Sequence, residues 1–177
     1  MRSLVSAKRP VLKFVLLFGL CMAVFYGVTA TPWFRGNLFP SYLGLNAAVS
    51  ALILNVFGEN ASSTGYAVST PRFQLQIYRG CDAIEPSALF AAAVIAFPAR
   101  IRRKVPGLLV GVATLLLLNL VRIVSLYYTG VHFPSAFETV HVEVWQPLFI
   151  LIAIALWIAW ALWSTARRRQ APTDAAS

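Results

Sequence analysis

The chain has 177 residues and a formal net charge of +9, with 59% hydrophobic and only 12% charged residues, where an ordinary soluble domain carries about 25% charged residues. Its apolar residues come in long blocks rather than in helix-face stripes, which excludes a soluble globular domain and makes lipid the solvent for most of the chain. Nucleic acid is for the same reason a poor account of the positive charge.

In chain order, the basic head MRSLVSAKRP precedes the first apolar segment, 11–30, with Cys21 in its middle. Val28-Thr29-Ala30 resembles a small-residue cleavage site. The apolar run is nevertheless longer than the roughly 7–15 residues of a signal core, which favours a retained span. Segment 41–58 is interrupted by Gly44, Asn46, Ser50 and Asn55, which suits an interfacial or re-entrant helix. Segments 83–98, 106–128 and 141–163 follow, judged against the ~20 apolar residues that a crossing needs. Trp157, Trp160 and Trp163 read as an aromatic belt at the end of the last.

Basic residues set the number of crossings, because loops rich in Lys and Arg stay in the cytoplasm. With 41–58 outside, Arg2, Lys8, Arg9, Lys13, Arg100, Arg102, Arg103, Lys104 and Arg167 to Arg169 are inside, against Arg35, Arg72 and Arg79 outside. Five crossings would put more basic residues outside than inside. The expectation is therefore an all-α polytopic membrane protein, a single integral domain over 1–177. It would have a cytoplasmic head at 1–10, four transmembrane helices, an outer interfacial or re-entrant helix and a cytoplasmic tail at 165–177. The exterior stretch 31–82 holds one strand pattern, Phe73, Leu75 and Ile77 alternating with Gln74, Gln76 and Tyr78. Residues 65–69 can pair with it as a small β-hairpin that delivers Cys81 to the mouth of the third segment.

This topology brings three chemically capable side chains to the outer face: Cys81, Arg122 and His141. A cysteine attacks as thiolate and needs a base or a nearby cation. Histidine can accept that proton and return it to a leaving group, and arginine can hold a thiolate or an oxyanion. Each also has a bland reading. Cys81 can be a buried small hydrophobe, Arg122 can snorkel or pair with Asp82, Glu85 or Glu138, and His141 can pack on Trp145 at the interface. Asn119, one turn before Arg122, can orient it or bond between helices. Of the two histidines, His132 falls in a Gly- and Pro-containing turn. His141 begins the last helix, where the helix N-terminus and Trp145 would fix a neutral ring. A metal site from these histidines and the outer carboxylates lacks the HExxH and paired Cys-x-x-Cys patterns, so no metal and no cofactor is expected.

The stretches NVFGENASSTG at 55–65, FQLQIYRGCDAIEPSALFAAAVIAFPA at 73–99, NLVRIVSLYYTG at 119–130 and FETVHVEVWQ at 137–146 resemble the exosortase and archaeosortase family of membrane cysteine transpeptidases. They are most similar to the small exosortase H type. The resemblance implies Cys81 as nucleophile, Arg122 as stabilising cation and His141 as acid-base residue. It implies, as partners, exported proteins carrying a C-terminal signal of recognition motif, transmembrane helix and basic cluster, cut at the outer face of the bacterial inner membrane and released or passed to an acceptor. One departure stands out: the family commonly has Asn-Gly after the cysteine, and this chain has Asp82-Ala83, a carboxylate beside the thiol that would raise its pKa. The rival expectation is a non-catalytic membrane subunit or transporter partner in envelope polysaccharide export, using Arg122 for packing or ion passage.

Overall fold

A computed structural model describes the backbone of residues 2–166 and the side chains from residue 9 onward. The tail expected at 165–177 lies outside the described residues apart from its first two, and so do most side chains of the basic head. Within them each apolar block becomes a helix, as a backbone without water to bond must satisfy itself internally. Helix α1 spans Arg2–Ala30, α2 Phe39–Val56, α3 Ile84–Ala96 and α4 Ile101–His132, with α5 at Phe137–Thr139 and α6 at Gln146–Ala166. A π-helical stretch, Val140–Trp145, joins α5 to α6. The sequence also explains the tight return from α3 to α4: Phe97 precedes Pro98 and is extended, as a residue before proline prefers.

Between α2 and α3 lies a three-stranded antiparallel sheet, β1 Ser62–Thr64, β2 Ala67–Ser69 and β3 Gln74–Gln76, in that order. The β2–β3 pair, with Val68 opposite Leu75, is the hairpin read from alternation. The third strand, β1, is exposed at every residue, so no apolar alternation announced it.

By length and apolarity four helical stretches among the described residues can cross a membrane: Arg9–Ala30, Phe34–Val56, Ile101–His132 and Pro134–Ala166. That set differs from the expected one. The segment 41–58 qualifies as part of the 23-residue stretch Phe34–Val56, and its polar residues turn toward protein: Asn46 and Ser50 are buried while Leu45, Leu52 and Val56 face outward. The segment 83–98 does not qualify, since α3 has 13 residues, about 20 Å at 1.5 Å per residue, against a hydrocarbon core of about 30 Å.

Helix direction decides what length leaves open. Phe14 of α1 lies beside Trp157 and near Phe97, while Phe18 lies against Pro86, Leu89 and Phe90, so α1 runs opposite to α3. Arg103 at the start of α4 meets Trp160 and Ser164 near the end of α6, and Arg122 further on meets Gly80 and Cys81 just before α3. The senses of α1, α3, α4 and α6 therefore alternate. Helix α2 runs in the same sense as α4, with Asn46 against Asn119 and, past its end, Glu59 against Tyr127. It ends at the same face as α4, beside the sheet, as a re-entrant or interfacial helix does. Although short, α3 is wrapped by α1, α4 and α6, and non-helical backbone is tolerated at membrane depth when protein covers it.

Two apolar clusters divide the bundle. One joins Phe90, Val94, Leu115, Phe149 and Trp160 of α3, α4 and α6. The other joins Leu43, Ala47 and Leu54 of α2 to Val68 and Leu75 of the sheet and to Ile77, Cys81, Ile123 and Tyr127. Helix α4 is the mast of the second cluster. Tyr127 donates to Glu59 at 2.8 Å and shares a hydrogen bond of 2.9 Å with Thr70, and Gly130 lets the Phe73 ring approach so closely that any Cβ there would collide with it.

Candidate active site

Cys81 is positioned from both sides of the chain. Upstream, Leu75 and Ile77 anchor the strand in the second cluster, and a turn bonds the Cys81 N–H to the Tyr78 carbonyl at 3.0 Å. Gly80 occupies this turn at φ +94, a backbone conformation that glycine adopts at no steric cost, and its carbonyl accepts from Arg122 Nη1 at 3.1 Å. Downstream, Asp82 Oδ1 accepts from the Ile84 N–H at 3.0 Å at the start of α3, satisfying a donor that the helix leaves unpaired. Ala83 is left-handed at φ 59. A glycine would sit here unstrained, and this chain carries a methyl group there instead. Tyr42 of α2 donates to the Asp82 carbonyl at 2.5 Å.

Arg122 sits 19 residues beyond Arg103 on α4, about 28 Å along the helix, roughly one membrane thickness from the basic cluster. It is 2% exposed. Its Nη2 is 3.7 Å from Cys81 Sγ, and the guanidinium lies 5.8 Å from the Phe149 ring centroid, a cation–π distance. Among the described residues no carboxylate stands at ion-pair distance from it; the ion pair present is Arg72–Glu59. Asn119 is buried and donates to Asn46 at 3.3 Å. This is a bond between helices, from α4 to α2.

His141 Nε2 lies 2.5 Å from Cys81 Sγ. The ring does not begin a helix as the sequence suggested, because the helical stretch starts at Pro134, and it rests near Phe137 at 5.9 Å rather than on Trp145. The π-helical stretch Val140–Trp145 instead places it. An inserted residue of this kind re-aims side chains and is frequent at functional sites. His132 is the last residue of α4, not part of a turn, and its exposed ring stacks on Tyr128 at 6.3 Å. The structure thus brings together Cys81, Arg122 and His141, and leaves His132 apart.

Burial pushes the Cys81 thiol above its ordinary pKa; Arg122 pulls it down, while Asp82 and Glu138 add to the rise. The Asp82 carboxyl is itself raised by burial, against the lowering effect of the Ile84 N–H. The carboxylate thus acts in the direction read from sequence, but burial is the larger cause. Asp82→Asn removes that charge and keeps an oxygen for Ile84. The rate of Cys81 alkylation against pH is then expected to move to lower pH, because less unfavourable charge opposes the thiolate. An unmoved profile would show that Asp82 has no influence on the thiol.

A cavity of about 420 Å³ opens beside the triad, lined by residues 73–78, Cys81, Ile123, Leu126, Phe137, Glu138 and His141. Among the described residues no three His, Cys, Asp or Glu side chains converge as a metal site, and Cys21 and Cys81 are both free thiols. Tyr42, Phe137 and Phe149 escaped the sequence reading. Tyr42 and Phe149 meet residues far away in the chain, which no local pattern signals, whereas Phe137 lies one helical turn before His141.

No curated protein and no solved structure matches the chain. The sequence model of the transmembrane exosortase family matches residues 4–158, which include every residue of the site just described. The chain therefore belongs to the transmembrane exosortase family.

Proposed function

We propose that this protein is a membrane-embedded cysteine peptidase or transpeptidase that cleaves C-terminal sorting signals of exported proteins at the outer face of the bacterial inner membrane. The observation that carries the reading is the meeting, from three separate segments, of Cys81 Sγ with His141 Nε2 at 2.5 Å and Arg122 Nη2 at 3.7 Å. His141 takes the thiol proton, and the sulfur attacks the carbonyl carbon of the scissile peptide bond. The resulting oxyanion and the thiolate before it are held by the Arg122 fork. His141 returns its proton to the leaving amine. Water or an acceptor amine then resolves the thioester, again losing a proton to His141. A substrate held by one transmembrane helix diffuses in two dimensions, so it reaches a site near the interface without a soluble cleft.

The test is co-expression with an exported protein ending in motif, transmembrane helix and basic cluster, followed by its size on a blot. Wild-type enzyme is expected to shorten it; an unchanged size would reject the reading. Orientation is checked separately. In a chain without native cysteines, Ser62→Cys should react with a membrane-impermeant thiol reagent on intact spheroplasts, and Thr165→Cys should not. Both positions are exposed in the structure, so the reverse result would invert the topology.

Arg122→Lys keeps a charge but loses the planar fork that reaches Gly80 O and Sγ together. A fall in turnover of about 100-fold is expected, the cost of one lost oxyanion donor, at unchanged protein level. A cation serving only packing would tolerate Lys, and wild-type turnover in this variant would support that role.

A further inference from the structure

The geometry points to the free edge of β3 as the binding site for the segment to be cut: an extended peptide pairs with this edge as a fourth strand and so presents its carbonyl to Cys81. This inference rests on the function proposed above and assigns its substrate-binding element.

Strand β3 is an edge strand, paired only with β2. The Thr70 N–H bonds to Phe73 O at 3.0 Å and the Ile77 N–H to Tyr66 O at 2.9 Å, with Leu75 opposite Val68 between them. Phe73, Leu75 and Ile77 therefore direct their backbone groups to β2, and by antiparallel alternation Gln74 and Gln76 direct theirs away from it. Unpaired edge groups are a template for another strand. Here they adjoin the cavity: six consecutive residues, 73–78, line it and no residue of β2 does, so the cavity meets the strand edge-on. Its far wall is Phe137, Glu138 and His141, its floor includes Ile123 and Leu126, and Cys81 stands at one end. A peptide laid along the edge turns alternate side chains toward that apolar floor. The strand continues from Gln76 through only four residues to the nucleophile, so the edge holds the peptide in register with the sulfur.

The experiment uses the full chain with Cys21→Ala and follows alkylation of Cys81 by mass spectrometry. The probes are an acetylated tetraalanyl chloromethyl ketone and chloroacetone. In both, the sulfur displaces chloride, a carbon–sulfur bond replaces a carbon–chlorine bond, and the thiol proton leaves through His141. The peptide reagent is expected to react at least about tenfold faster. N-methylation of one of two successive peptide amides should abolish the advantage and N-methylation of the other should not, because only alternate amides face a paired strand. On the protein side, Gln76→Pro removes a single edge N–H, a change that edge strands tolerate. It should cost on the order of tenfold for the peptide reagent, as a lost hydrogen bond does, and nothing for chloroacetone; Gln76→Ala should lose neither. Equal rates for the two reagents, or equal effects of both N-methylations, would overturn the edge as the binding site. Chloroacetone separates that failure from the larger one, because a Cys81 that it cannot alkylate would argue against the thiol mechanism itself.

Discussion

Cys81→Ala and Cys81→Ser are expected to leave the protein in the membrane at wild-type level and to reduce processing of a substrate with a C-terminal sorting signal to background. The side chain is small and lies at the edge of its cluster beside an open cavity, so its removal leaves little buried void and costs little stability. Loss of the sulfur removes the atom that would form the thioester. Serine tests this more sharply, because a hydroxyl of similar size fits the site yet ionises far less readily and is intrinsically a weaker nucleophile than a thiol. Cys21→Ala should process normally, since Cys21 is half-buried on α1 and belongs to neither apolar cluster nor the cavity. Quantitative blotting of enzyme and substrate in the same cells checks both halves. Processing by Cys81→Ala at the wild-type rate would end the thiol mechanism.

The two histidines should part by orders of magnitude. His141→Ala removes the group 2.5 Å from the sulfur, and burial already holds that thiol above its ordinary pKa. Without a base, little thiolate forms near neutral pH. A general acid-base contributes roughly 100- to 10,000-fold, and a loss in that range is expected for processing. Part of it should return as pH rises, because solution hydroxide can ionise a thiol whose raised pKa, not its position, limits the reaction. His132→Ala removes an exposed ring stacked on Tyr128 and should stay within a few-fold of wild type. Initial rates from pH 6 to 9 decide the matter. An inactive His132→Ala beside an active His141→Ala would reassign the base even with Cys81 retained as nucleophile.

Much of the architecture was legible because lipid imposes a simple rule. Blocks of about 20 apolar residues become helices, and Lys and Arg clusters mark the faces between them. The helical class, the short β-hairpin and the presence of Cys81, Arg122 and His141 in one region all followed from that rule together with strand alternation. Length was the weaker guide. Segment 41–58, read as interfacial or re-entrant for its polar residues, is long and apolar enough to cross, with Asn46 and Ser50 turned into the protein. Segment 83–98, counted as a span on the balance of basic residues, forms a helix of only 13 residues, Ile84–Ala96. Direction, which hydropathy does not encode, restores the alternation of α1, α3, α4 and α6.

By itself, then, the sequence supplied the candidates, a thiol at Cys81, a cation at Arg122 and an imidazole at His141, and placed them toward one face of a helical membrane bundle. Only the tertiary structure decided their geometry. The sequence already favoured His141 over His132; the structure supplies its 2.5 Å approach to Cys81 Sγ from a π-helical stretch, and the seating of Arg122 on the Gly80 carbonyl and near the Phe149 ring. The physical reason is that these contacts join residues up to 60 positions apart. Their energies depend on distances of a few tenths of an ångström, which side-chain packing sets and hydrophobic periodicity does not record.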